Sequence, residues 1–193
     1  MKPPPVDHPP GLHYLLWTPF RYRSAKTESR YGPAGEIPVW YGAVEVDTCL
    51  YEWATHRFIF LSHTTADLGR QKVPLTAFQA VVRTEAGLNL CVPPFDAFRD
   101  RLLSRSSYLD TQRLGRDMRQ ASIQAFRFPS ARDPKASPCI GVLDPFAFAE
   151  RSPRVSSFLS WTALIDGDAI LFFVGSDLDP LPRSVEVRRD HVL

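Results

Sequence analysis

Between Val39 and Phe60 the chain changes its hydrophobic period without a separating loop, and that switch restricts the fold more than any other feature. Residues Val39 to Val46 are β-branched or aromatic with small spacers, which reads as a strand. Asp47 or Thr48 suits the N-cap of a helix that runs to about Phe60. A strand feeding straight into a helix makes the helix fold back over the sheet, and the crevice at the strand's carboxyl end is where such folds bind ligands. Tyr41 then lies on the strand, and Glu52, eleven residues on, lies in the first two turns of the helix. Arg30 stands eleven residues before Tyr41, on a polar Gly- and Pro-containing loop over Ser24 to Pro38.

The remaining pattern predicts an α+β chain with strands in the majority and no internal repeat. Five prolines among the first ten residues mark 1–11 as a solvated arm, leaving 12–193 as one domain. Leu12 to Arg23, aromatic and closing on Pro19-Phe20-Arg21-Tyr22-Arg23, is expected as an edge strand or extended segment. Leu75 to Thr84 and Leu88 to Val92 read as a hairpin across Glu85-Ala86-Gly87. Helices are expected from Pro94 to Leu103, with proline at the start, and from Asp110 to Ile123, with Asp110 as cap and Gly115 as a weakness. Ala125 to Phe128 and Ile140 to Leu143 read as short strands, and Ser157 to Leu164 and Ala169 to Gly175 flank the hairpin signal Asp166-Gly167-Asp168.

Composition removes several function classes. A chain of 193 residues, 44% hydrophobic, is ordinary for one globular domain. A net charge of +2 gives no electrostatic case for a nucleic-acid or membrane surface. Arginine outnumbers lysine 19 to 4, which favours bidentate phosphate or carboxylate binding, although genomic base composition produces the same bias. Cys49, Cys91 and Cys139 form neither a disulfide framework nor a zinc pattern, and with no leader and no apolar run long enough for a bilayer the expectation is a cytoplasmic protein. His56 and His63 lack a third ligand, so no metal is expected, and no Gly-x-Ser-x-Gly elbow, P-loop or Rossmann fingerprint is present.

The polar residues left standing are Arg30, Tyr41, Glu52 and Ser130, the last in Phe128-Pro129-Ser130-Ala131-Arg132. Cleaving an N-glycosidic bond with a cationic leaving group, as in NAD, passes through an oxocarbenium-like state that a carboxylate stabilises, and Glu52 suits that role. Tyr41 offers an aromatic face for the nicotinamide ring, Arg30 (with Arg21 as a weaker candidate) a guanidinium for the pyrophosphate, and Ser130 a donor to the amide or a phosphate oxygen. Each residue also has a plain reading: Glu52 as a helix carboxylate paired with His56 or an arginine, Tyr41 as a half-buried strand tyrosine, Ser130 as a turn residue and Arg30 as a solvated charge. Only the ordered set points to a site.

That set resembles the RES domain family, named for an arginine, a glutamate and a serine, which correspond here to Arg30, Glu52 and Ser130. The resemblance spans roughly Leu12 to Phe148 and rests on Pro19-Phe20-Arg21-Tyr22, Ser29-Arg30-Tyr31-Gly32, Trp40-Tyr41-Gly42-Ala43, Glu52 and Phe128-Pro129-Ser130-Ala131-Arg132. It implies a mixed β core with flanking helices, similar to ADP-ribosyltransferases. It also implies a toxin of a toxin-antitoxin pair that degrades NAD as a nucleosidase or, with inorganic phosphate, as a phosphorylase. NAD is then the substrate, with no cofactor. The resemblance implies NAD binding by Arg30 and Tyr41, catalysis by Glu52, binding near the reacting centre by Ser130, and a looser match at Arg21. It further implies an Xre-like helix-turn-helix antitoxin that blocks the pocket within a hetero-oligomer. Mono-ADP-ribosylation of a protein shares the same site, and a non-catalytic binding module is the alternative from another class.

Overall fold

The computed structural model describes residues 7–21, 25–26, 28–66, 68–154, 157–174 and 183–193. The chain is α+β, with mixed and antiparallel sheets and flanking helices. Among the described residues there are eight strands and five α-helices, although helical residues slightly outnumber those in strands. Contacts group the chain into two compact units. The first comprises Met1–Gly42, Ala80–Pro129 and Pro138–Arg154, and the second Ala43–Gln79, Ser130–Ser137 and Val155–Leu193. Residues 1–6 of the expected arm lie outside the described residues; His8 stacks on Trp17, and the Pro9 carbonyl accepts the Leu12 N–H.

The first unit holds a mixed sheet in the order β1-β5-β4-β3, with β1 at Trp40–Ala43, β3 at Gly87–Asn89, β4 at Ala125–Pro129 and β5 at Pro138–Val142. Strands β4 and β5 are antiparallel, and β3 runs parallel to β4. The segment expected as an edge strand is instead helix α1, Tyr14–Arg21, despite its internal Pro19. A proline cannot donate to the carbonyl four residues back, here that of Leu15, and the Trp40 indole Nε1 donates to that oxygen instead at 3.2 Å. His13 Nδ1 accepts the Leu15 N–H at the other end, while Leu16 and Phe20, one turn apart, face the interior. Sequence periodicity could not reveal a carbonyl rescued by a tryptophan twenty-five residues away.

Helix α4, Leu109–Gln120, forms as expected in substance, but Asp110 is not its cap; Tyr108 holds that position and gives no side-chain cap. The helix ends at Gln120, two residues before Ser122, whose φ of 57° is left-handed, so Ile123 falls outside it and its N–H closes on the Met118 carbonyl. Gly115 is a packing residue rather than a weakness, because a side chain there would overlap the Tyr31 carbonyl. The helix expected over Pro94 to Leu103 divides into a 3-10 turn at Phe95–Phe98 and a short α3 at Arg99–Leu102.

The second unit holds an antiparallel sheet ordered β2-β6-β7-β8, with β2 at Gln71–Ala77, β6 at Leu159–Asp166, β7 at Ala169–Val174 and β8 at Arg183–Arg188. The β6–β7 hairpin is as the sequence predicts, with Gly167 at φ 57° opening its two-residue turn; Gly175 lies outside the described residues. The hairpin expected across Glu85-Ala86-Gly87 does not form. Strand β2 ends at Ala77 and pairs with β6, whereas β3 pairs with β4 in the other unit. An alternating run identifies a strand and its inner face, not its partner.

Helix α2, Val46–Ser62, supplies the core of this unit with Leu50, Ala54 and Phe58, spaced four apart, against Trp161, Ala163, Ile165, Ile170 and Phe172. Each buried leucine or phenylalanine of this kind contributes about 1.5–3 kcal/mol. The short C-terminal helix α5, Arg189–Val192, closes the cluster through Val192. Neither expected N-cap acts as one: Glu45 precedes the helix without a side-chain cap bond, Asp47 pairs with Arg183, and Thr48 turns inward.

Candidate active site

Glu52 sits in the second turn of α2, on the same face as Thr48 one turn earlier. The Ser130 hydroxyl donates to Glu52 Oε1 at 2.6 Å, a short charge-assisted bond between residues 78 apart in sequence. Ser130 is 1% exposed, and its direction of donation is fixed because its oxygen also accepts the backbone N–H groups of Arg132 at 3.1 Å and Asp133 at 3.0 Å. A hydroxyl has one proton, and with two N–H donors aimed at its lone pairs that proton goes to the carboxylate. Among the described residues, Ser130 is the only hydrogen-bond partner of the Glu52 carboxylate.

The loop that carries Ser130 is tied down by a second carboxylate. Asp133 accepts from Thr48 Oγ1 at 2.8 Å and from the Lys135 N–H at 2.9 Å, and both residues of the Thr48–Asp133 pair are buried. Burial works to raise the Asp133 pKa, but the bonds from Lys135, Thr48 and Ser137 outweigh it and hold the carboxyl below its ordinary value. The buried guanidinium of Arg132 donates to the Val192 carbonyl at 2.7 Å, so the same loop also grips α5.

Arg30 and Tyr41, in the first unit, share the Ser29–Gly32 turn, which is closed by reciprocal backbone bonds between its end residues. The Tyr41 oxygen accepts the Tyr31 N–H at 3.1 Å and pairs with Ser29 Oγ at 3.0 Å. The residue is 37% exposed, and its ring lies edge-on to Phe128. Burial pushes the phenol up to about 12 against the opposing pull of the bonds from Ser29 and Tyr31, so Tyr41 is a neutral phenol throughout the physiological range. Arg30 Nη1 donates to the carbonyls of Leu102 at 3.0 Å and Ser104 at 2.7 Å, and its guanidinium lies over the Tyr108 ring. Its Nε and Nη2 have no hydrogen-bond partner among the described residues. Arg21, exposed at the end of α1, lies over the Trp17 ring.

Glu52 and Ser130 are therefore brought together, as are Arg30 and Tyr41 through one turn. Thr48 and Asp133 escape notice in the sequence because each reads as a local turn or cap residue. Two signals pointed to them: Thr48 precedes Glu52 by one helical turn, and Ser130-Ala131-Arg132-Asp133 has the Ser-x-x-Asp spacing in which a serine oxygen caps the third N–H onward. No group of three metal-ligating side chains occurs among the described residues, and none of their helices is long and apolar enough to cross a membrane. No curated protein matches the chain. The sequence model of the RES domain matches residues 5–162, and the chain belongs to the RES domain family.

Proposed function

We propose that this RES domain protein consumes NAD, with Glu52 as its catalytic carboxylate, and acts as a toxin held in check by an antitoxin. The observation that carries the reading is the 2.6 Å bond from a buried serine to one oxygen of Glu52. That bond supports a carboxylate held in a single orientation, with its second oxygen directed to the ribose. In the proposed step the bond between the nicotinamide nitrogen and the anomeric carbon breaks, and its electron pair neutralises the pyridinium. Positive charge builds on the ribose ring, where Glu52 stabilises it. A phosphate oxygen or water then attacks the anomeric carbon, yielding ADP-ribose phosphate, or ADP-ribose and a proton.

Tyr41 suits the nicotinamide because it is an exposed aromatic residue whose hydroxyl is anchored by the Tyr31 N–H. Arg30 suits the pyrophosphate through the Nε and Nη2 side of its guanidinium. Arg21 is the weaker candidate for the same charge. Family membership supports an antitoxin partner, proposed here as an Xre-like helix-turn-helix protein that covers the site in a hetero-oligomer, with the pair residing in the cytoplasm.

The test is incubation of the purified chain with NAD, with and without inorganic phosphate, and identification of the products by mass. Loss that requires phosphate selects the phosphorylase, and loss in either buffer selects the nucleosidase. A labelled protein band from a lysate given labelled NAD selects ADP-ribosyl transfer. Intact NAD and no labelled band contradict the proposal.

A further inference from the structure

We propose that Asp133, held by Thr48, is a positioning residue for Glu52, acting through the 130–137 loop and Ser130. This deepens the reading of Glu52 as the catalytic carboxylate and rests on it.

Thr48 and Glu52 are one turn apart on α2, and each makes one bond to the same loop. Thr48 reaches Asp133 at 2.8 Å and Glu52 meets Ser130 at 2.6 Å. The loop is thus attached to one face of the helix at two points. Two attachments to α2 fix the loop's position and rotation against that helix, whereas one leaves the Asp133 end of the loop free to turn about Ser130 relative to α2. The Ser130 oxygen depends on the second attachment because the Asp133 N–H is one of the two donors that aim its proton. Away from that face Arg132 ties the loop to the Val192 carbonyl, and within it the Ser130 N–H bonds the Ser137 carbonyl and the Ala136 N–H the Asp133 carbonyl, with Ala136 at a left-handed φ of 49°. A non-glycine residue persists in that conformation where its surroundings hold it there. The Asp133 carboxylate, bonded to Lys135, Ser137 and Thr48, is the group at the centre of those surroundings.

Thr48 is fully buried, so the informative pair is Thr48→Val, which keeps the shape without the hydroxyl, and Thr48→Ser, which keeps the hydroxyl. Both are made in the full chain, with Asp133→Asn as a third variant. Melting temperature, kcat and KM for NAD, and hydrogen exchange at the Arg132 and Asp133 amides are measured for each. The expected result is a fall in kcat of about 10- to 100-fold in Thr48→Val and Asp133→Asn with KM within about twofold, and recovery in Thr48→Ser. Exchange at the two amides should accelerate in the impaired variants alone. A folded Thr48→Val variant with wild-type kcat, or one whose two amides stay protected, overturns the proposal, as does equal impairment of Thr48→Ser. If the wild type leaves NAD intact, the catalytic reading fails and the proposal with it; the wild-type control separates that result from a failure of positioning alone.

Discussion

Replacing Ser130 by alanine removes one oxygen that serves three groups. Two backbone N–H donors, those of Arg132 and Asp133, lose their acceptor inside the protein, and Glu52 loses its donor. An orphaned buried donor costs about 1–3 kcal/mol, and because the loop can relax toward water the sum is set at about 3 kcal/mol. For a chain of this length that corresponds to a fall in melting temperature of roughly 6–12 °C. Glu52→Gln is the informative companion, since the amide oxygen still accepts from Ser130 and the fold should change by less than about 0.5–1 kcal/mol. The two variants therefore separate stability from chemistry: Ser130→Ala should lose both, and Glu52→Gln only activity. Differential scanning calorimetry alongside the NAD assay reads both quantities. A Ser130→Ala variant that melts with the wild type would refute the bonding scheme at the loop.

Three further outcomes follow from the same structure. Gly115→Ala should lower stability by about 2 kcal/mol, read by denaturant titration, because the added methyl overlaps the Tyr31 carbonyl and overpacking outweighs the gain in helix propensity. Asp133, with its folded pKa below the ordinary value, contributes stability that is fully present above the unfolded pKa and is lost as pH falls through the folded one. The stability gap between wild type and Asp133→Asn should accordingly be constant at neutral pH and close on acidification below about pH 4, measured by denaturation across pH. Tyr41→Phe deprives the Tyr31 N–H of its acceptor and should cost about 1–2 kcal/mol while keeping the aromatic face, so KM for NAD should shift less than in Tyr41→Ala.

The β6–β7 hairpin, the helix around Glu52 and the helix after Leu109 were legible in the sequence because each is written in neighbouring residues: a Gly167 turn, a four-residue apolar spacing, a polar start. What failed depended on distant partners. Helix α1 survives Pro19 because Trp40 serves the Leu15 carbonyl, and β2 pairs with β6 rather than its neighbour. Such pairings are tertiary and leave no local period. At the candidate site, residue types and spacing named Glu52 and Ser130, and the structure adds their direct bond. The plain reading of Glu52, paired to His56 or an arginine, gives way to Ser130. Thr48 and Asp133 stayed hidden because the groups that bind them lie 85 residues apart.

Glu52 is proposed as the carboxylate that labilises nicotinamide. Release of free nicotinamide from NAD by the purified chain, compared with its Glu52→Gln variant, reads that role. The expected result is rapid release by the wild type and a rate lower by roughly 10²–10³-fold in the variant, with an unchanged melting temperature. Equal release by both proteins, or none by the wild type, would contradict it.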